Sequence, residues 1–276
     1  MRSLPALNGG QPARRALRAL ALALVTTLVV ACSTKGPFDE TARWTAEELY
    51  EEAKTAQEDG IFDKAIKYFE RLEARFPFGR YAQQAQIEIA YTHYKAGDPG
   101  DAVAACDRFL RLFPDHEHAD YVYYLKGLAS FSGNLGLFAD LGGQDPTERD
   151  PKGMRDAFDA YKTLLQRFPQ SRYAADAQQR SAWLVNALAS HEVHVARYYL
   201  SRTAYVAAVN RAQDVVRSYP QTPAIENALA VMVAAYDRLG MTDLRDDALA
   251  VMRLNFPNSD YYVLPEEYTG PWWARL

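Results

Sequence analysis

Apolar and polar positions along residues 45–258 follow a helical rhythm that breaks at five matching places. Each amphipathic segment closes on an aromatic residue followed by Pro: Phe76-Pro77, Phe113-Pro114, Phe168-Pro169, Tyr219-Pro220 and Phe256-Pro257. Apolar residues recurring three and four apart predict helices with one buried stripe. Pro has no N–H and biases the residue before it away from helix, so each pair predicts a helix end. Small or polar residues and a new apolar pattern follow most of them. The segments KAIKYFERLEARFPFGRYAQQAQ and DAFDAYKTLLQRFPQSRYAADAQ match along most of their length, which marks an internal repeat.

Counting back from each Pro brings out the tetratricopeptide (TPR) signature: small residues where paired helices cross, an aromatic on the second helix, Pro at its end. The first unit has Leu49, Ala53, Gly60, Ala65, Phe69 and Pro77. The second has Ala90, Gly97, Ala102, Cys106 and Pro114, and the third Gly127, Ala157, Tyr161 and Pro169. The fourth has Ala196, Ala208, Ala212 and Pro220. The fifth is degenerate: Gly240, Leu249 and Pro257 fit, but Arg245 replaces the small residue. Gly60 and Gly97 are expected to take the positive φ that the turn needs. Thr45 with Glu48 forms a capping box for the first helix. One helical pair cannot bury its stripe alone, so stacking is required. The expected fold is all-α, a TPR-like α-solenoid of about five helical-pair repeats.

The prolines are spaced 37, 55, 51 and 37 residues apart, against about 34 for a plain TPR. The third unit holds an insertion at 134–151, rich in Gly, Asp and Pro, which predicts a long loop. The fourth has extra residues inside Ala174–Ser201, a run without Pro or Gly, which predicts one unusually long helix. Residues 45–133 then form the N-terminal TPR units and 134–258 the C-terminal ones. The tail, 259–276, carries Tyr261, Tyr262, Tyr268, Trp272 and Trp273, and is either a cap or an aromatic binding peptide.

Ahead of the repeats, Arg2, Arg14, Arg15 and Arg18 precede a short uncharged run, the layout of a secretory signal peptide over 1–31. A single transmembrane anchor competes with this, but only sixteen uncharged residues separate Arg18 from Lys35. The run ends Val29-Val30-Ala31-Cys32, which resembles a bacterial lipobox with Val where Leu is usual. That resemblance implies acylation of Cys32 and a membrane anchor, with 32–44 as a lipidated tether. Ser33, where retained lipoproteins have Asp, favours the outer membrane. The whole chain is 276 residues, 49% apolar and 24% charged, with net charge −4. That is a globular composition, and it argues against nucleic acid as a partner. Two cysteines, one of them taken by lipid, leave no internal disulfide.

Catalytic and metal-binding patterns are thin. His191-Glu192-Val193-His194 lacks the spacing of a zinc-protease helix and reads as helix-surface histidines. His116-Glu117-His118 lies after Pro114, and a solvated loop is the simpler reading than a metal site. Asp140, Asp145, Glu148, Asp150 and Asp156 lack EF-hand spacing. Cys106 reads as a buried thiol. No phosphate loop or nucleophile elbow is present in the sequence. No catalytic role and no cofactor beyond the Cys32 lipid is expected.

Several stretches together resemble the BamD family, the TPR lipoproteins of the outer membrane β-barrel assembly machinery. They are FPFGRYAQQAQIEIAYTHYKAGD, ACDRFLRLFP, ADYVYYLKGL, ERDPKGMRDAF and ARYYLSRTAYVAAVNRAQDVVRSYPQT. The resemblance implies a lipid-anchored protein on the periplasmic face of the outer membrane. It implies C-terminal repeats that dock a POTRA domain of BamA, with Arg211 and neighbouring Asn210 at the contact. It implies N-terminal repeats that receive unfolded outer membrane β-barrel precursors, with Tyr81, Gln84, Tyr91 and Tyr94 lining the groove. Other lipoproteins of that machinery are implied as partners. Two rivals stand beside this reading. One is a periplasmic TPR scaffold for peptidoglycan and other cell-envelope enzymes. The other is a helical envelope hydrolase, which the absent catalytic motifs count against.

Overall fold

The computed structural model describes residues 40–135, 147, 150–259 and 261. The chain divides into two compact units, Met1–Thr45 and Ala46–Leu276. Of the first, only a turn is described, closed by the Trp44 N–H donating to the Thr41 carbonyl at 2.9 Å. Cys32 and the signal segment lie outside the described residues.

The second unit consists of α1 (Ala46–Glu58), α2 (Phe62–Arg75), α3 (Arg80–Ala96), α4 (Pro99–Leu112) and α5 (Ala119–Leu135), followed by α6 (Lys152–Arg167), α7 (Ala174–Ser201), α8 (Tyr205–Ser218), α9 (Ala224–Leu239) and α10 (Thr242–Asn255). Each helix packs on the next, so the architecture is a one-dimensional stack of helical pairs. Among the described residues there is no strand. No helix among them is long and apolar enough to cross a membrane.

The repeat becomes visible as three aligned columns on the second helix of each pair. Ala65, Ala102, Ala157 and Ala208 are fully buried twelve residues before their Pro. Phe69, Cys106, Tyr161 and Ala212 are fully buried eight before it, and Leu72, Phe109, Leu164 and Val215 five before it. A methyl-sized first column lets neighbouring helix backbones approach, and larger residues fill the layer between. In α10 the first two positions are Arg245 and Leu249, both only half-buried, and Met252 alone continues a column. Arg245 turns outward to Asp237 and Asp246, at 3.0 and 2.8 Å, so the fifth unit is the thinnest layer of the stack.

The aromatic before each Pro caps its helix in one conformation. Phe76, Phe113, Phe168, Tyr219 and Phe256 have φ from −127° to −133° and ψ from 50° to 62°. Each N–H donates to the carbonyl four residues back, and Pro then stops the helix. Gly60 and Gly97 take φ of +75° and +86°, as the turn between paired helices requires.

The join between α5 and α6 depends on Gly127. A Cβ there would lie 2.3 Å from Cε1 of the Tyr161 ring, so only glycine lets the ring seat against α5. The expected long helix is α7, 28 residues without a break. Its first half packs Ala177, Leu184 and Leu188 against Met154, Ala157, Tyr161 and Leu164 of α6. Its second half packs Ala189, Val193, Ala196 and Leu200 with α8 and α9. The added turns of helix therefore serve two layers of the stack. The expected loop 134–151 is entered from α5 at Leu135 and left at α6, and most of it lies outside the described residues.

Candidate functional site

Two places in the second unit gather polar chemistry. The first is a groove of about 600 Å³ along the first helices of the pairs. α1 supplies Tyr50 and Lys54, and α3 supplies Gln84, Ile87, Glu88 and Tyr91. The turn into α5 supplies Glu117 and His118, the first turn of α5 supplies Asp120 and Tyr121, and the turn into α7 supplies Arg172 and Tyr173. Of the residues expected here, Gln84 and Tyr91 form its walls. Tyr81 lies beside it, its ring 5.6 Å from that of Tyr50. Tyr94, on α3 as well, is not one of the wall residues.

Glu88 organises the floor. Both of its oxygens lie 3.2 Å from Lys54 Nζ. It also accepts from Gln57 Nε2 at 3.0 Å and from the Tyr50 hydroxyl at 3.4 Å. Buried Gln57 donates in turn to Thr92 Oγ1 at 2.7 Å, so α1 and α3 are joined through a satisfied network. Burial first, and the Glu88 charge second, raise the pKa values of Tyr50 and Tyr121 well above the ordinary phenol value. Both phenols therefore keep their protons at neutral pH. At the far wall Tyr173 stacks on Tyr124 with centroids 4.8 Å apart and planes within 17°. The Arg172 guanidinium covers Tyr173 at 4.7 Å from the ring centroid. The result is an aromatic cleft with charged edges, suited to stacking and hydrogen bonding with an extended segment.

The second place is on the C-terminal half, around Arg211 and Asn210 of α8. Asn210 is exposed. Arg211 Nη1 lies 3.0 Å from Oε2 of Glu192 on α7, and Arg155 Nη2 of α6 lies 3.1 Å from Oε1 of the same carboxylate. The Glu192 side chain is only 9% exposed, whereas those of Arg211 and Arg155 are 44% and 53% exposed. Arg155 and the role of Glu192 escaped the sequence reading. A signal existed: Leu188, Ala189, Glu192, Val193 and Ala196 share the helical spacing of the buried stripe.

The remaining candidates have plain surroundings. His191 Nδ1 lies 2.7 Å from the Thr147 carbonyl, which ties one residue of the insertion to α7. His116 packs its ring against Phe109 at 5.2 Å, and burial, then the neighbouring His118, lower its pKa. Cys106 is buried, and burial pushes its thiol up to about 12. Asp150 accepts from the Lys152 N–H at the start of α6, and Asp156 pairs with the Lys152 ammonium. Asp140, Asp145 and Glu148 lie outside the described residues. Among the described residues no group of three or more His, Cys, Asp or Glu side chains could hold a metal ion.

Comparison with known proteins places the chain in a family. Residues 43–252 match the family model YfiO, described as outer membrane lipoprotein. The chain is 43% identical to outer membrane protein assembly factor BamD of Neisseria meningitidis serogroup B, over 88% of this chain and 93% of that protein. It is 40% identical to the BamD of Vibrio cholerae, over 75% of this chain and 86% of that one. A solved structure, the TPR2AB domain of yeast Sti1 in an HSP90 complex, aligns with TM-score 0.41 at 14% identity, covering 78% of this chain and 79% of that one. The TPR assignment rests on the buried columns and their Pro stops. The chain belongs to the YfiO family of outer membrane lipoproteins, the family of the BamD assembly factors.

Proposed function

We propose that this chain is a non-catalytic scaffold in the assembly of outer membrane proteins, held at the periplasmic face of the outer membrane by lipid on Cys32. Its C-terminal half docks the POTRA-bearing barrel protein BamA through the α8 face of Asn210 and Arg211. Its N-terminal groove, with Gln84 and Tyr91 in the walls and Tyr81 and Tyr94 on the same helix, receives unfolded β-barrel precursors. The observation that carries this reading is the match to an assembly factor at 43% identity over 88% of this chain. The groove supports it physically. A barrel precursor exposes unpaired strand edges that aggregate, and a rigid aromatic cleft can hold an extended segment without folding it. The half-exposed Arg211 supports the docking face, since guanidinium groups are favoured in interface ion pairs.

The test is a tagged pull-down from outer membranes in mild detergent, with co-purifying proteins identified by mass spectrometry. Near-stoichiometric recovery of a POTRA-bearing barrel protein is expected. Recovery of peptidoglycan enzymes without that protein would replace this reading with an envelope-enzyme scaffold. Arg211→Glu is expected to weaken binding to a purified POTRA array by roughly a hundredfold, since a reversed charge at an interface costs several kcal/mol. Cys32→Ala is expected to release the protein from membranes lacking BamA, as followed by fractionation.

A further inference from the structure

A helical stack leaves its last helix with one face uncovered, and repeat proteins meet this with a terminal unit that is polar outside. α10 departs from that rule. Leu244, Val251 and Leu254 lie seven and three residues apart, on one side of the helix, and all three are exposed, Leu254 at 83%. Exposed Asp247 lies among them. The chain stays on the stack where α10 ends. The Ser259 N–H donates to the Phe256 carbonyl at 3.0 Å, and the Ser259 hydroxyl accepts from the Tyr261 N–H at 3.3 Å. Tyr261 packs against Leu229 and Ala230 of α9 and Met252 of α10. Its hydroxyl donates to Asn227 Oδ1 and accepts from Arg197 Nη2 of α7 at 3.4 Å. Residues 262–276 follow, outside the described residues, and carry Val263, Leu264, Tyr268, Trp272, Trp273 and Arg275.

We propose that residues 262–276 fold back along α10 and cap the open end of the stack, with the Trp272-Trp273 pair over the stripe of Leu244, Val251 and Leu254. The reach suffices. Extended, this segment spans up to about 50 Å, against about 21 Å for the length of α10. Pro265 and Pro271 disfavour a helix and suit an extended strap. The start is set, because Tyr261 fixes the chain beside α9 and α10. Leu254, in the last turn of α10, is the nearest of the stripe along the chain and the most exposed of the three. The chemistry matches as well. Trp covers a large apolar area and keeps its N–H at the edge for water, and Arg275 brings the charge opposite to that of Asp247. Three side chains fall well short of the roughly 800 Å² that each partner buries in a stable dimer. A segment of the same chain loses no translational freedom on docking, so this small stripe is enough for it.

The test is a cycle of variants in the full chain, read as Tm by differential scanning calorimetry. One pair, Val251→Gln with Leu254→Gln, strips the stripe. The other, Trp272→Ser with Trp273→Ser, strips the tail. Each pair is expected to lower Tm by about 5 °C, and all four substitutions together by no more than either pair. An uncovered stripe predicts the contrary, since exchanges on bare surface shift stability little. An unchanged Tm for either pair, or losses that add, therefore overturns the cap. A photo-crosslinking residue, p-benzoylphenylalanine, in place of Leu254 reads the contact directly. In the purified full chain it is expected to join a residue within 262–276 of the same molecule, as mapped by mass spectrometry. A product of doubled mass would mean that a second copy covers the stripe, and no linkage to the tail would mean that the tail lies elsewhere. Either result refutes the cap.

Discussion

Glu88 on α3 and Glu192 on α7 occupy comparable places, each on the first helix of a pair and each gathering donors from neighbouring helices. Their partners differ. Glu88 is 20% exposed and is met by one ammonium and by the neutral donors of Gln57 and Tyr50. Glu192 is 9% exposed and is met by two guanidiniums. The Glu88 charge is thus compensated within the groove, whose walls set tyrosine rings among the charged groups of Glu117, Asp120 and Arg172. Aromatic faces stack with modest demands on the sequence of a bound segment. On the α6–α8 face two guanidiniums share the one Glu192 carboxylate. The two regions of a single repeat fold thus differ in how fully a buried or half-buried carboxylate is matched by charge.

The largest expected effect severs the two regions at their seam. Gly127→Val forces a branched side chain into the Tyr161 ring, and about 3 kcal/mol of stability should be lost. For a chain of this size that is a fall in Tm of about 10 °C by differential scanning calorimetry. An unchanged Tm would show that Tyr161 can swing aside and that the seam is soft. A smaller effect sharpens the contrast between the glutamates. Glu192→Ala should cost about 1–2 kcal/mol in urea titration, because a buried hydrogen-bonded anchor is removed. Lys54→Ala should cost below about 1 kcal/mol, because its ammonium is partly solvated and Glu88 keeps its neutral donors. Equal losses would erase the distinction. The smallest effect reports on the dry layer behind the groove. The Cys106 thiol has its folded pKa raised from 9.0 to about 12, so the folded form binds its proton more tightly than the unfolded form. The associated stability is complete below about pH 9 and is lost as the pH rises toward 12. At pH 8 the native thiol should resist iodoacetamide, while the urea-unfolded thiol reacts within minutes. Rapid native labelling would mean that water reaches this layer.

Much of the fold was legible because its signals are local. Aromatic–Pro pairs, small residues at fixed offsets and turn glycines each act within a few residues, and the structure repeats them as caps, columns and positive-φ turns. The absence of breakers in Ala174–Ser201 foretold a single helix, though not that it would serve two layers. Gln84 and Tyr91 were reached through a family resemblance, and the structure places both in the groove wall. Arg172 and Tyr173, in the same walls, are the repeat counterparts of Arg80 and Tyr81, but nothing local tells that a turn some eighty residues farther along the chain reaches this groove. Glu192 was hidden by its histidine neighbours, which drew the eye to metal spacing rather than to the buried stripe.

The sequence by itself determined the helices, their stops and their stacking order, because helical period, proline and glycine act through covalent geometry and nearest neighbours. Only the tertiary structure decided which charges meet. Tyr50 and Glu88 are 38 residues apart, Arg155 and Glu192 are 37 apart, and Glu192 and Arg211 are 19 apart. Such pairings depend on how neighbouring helices are set against each other and on which side chains lose water there. Both are properties of the packed stack that no short stretch of sequence contains.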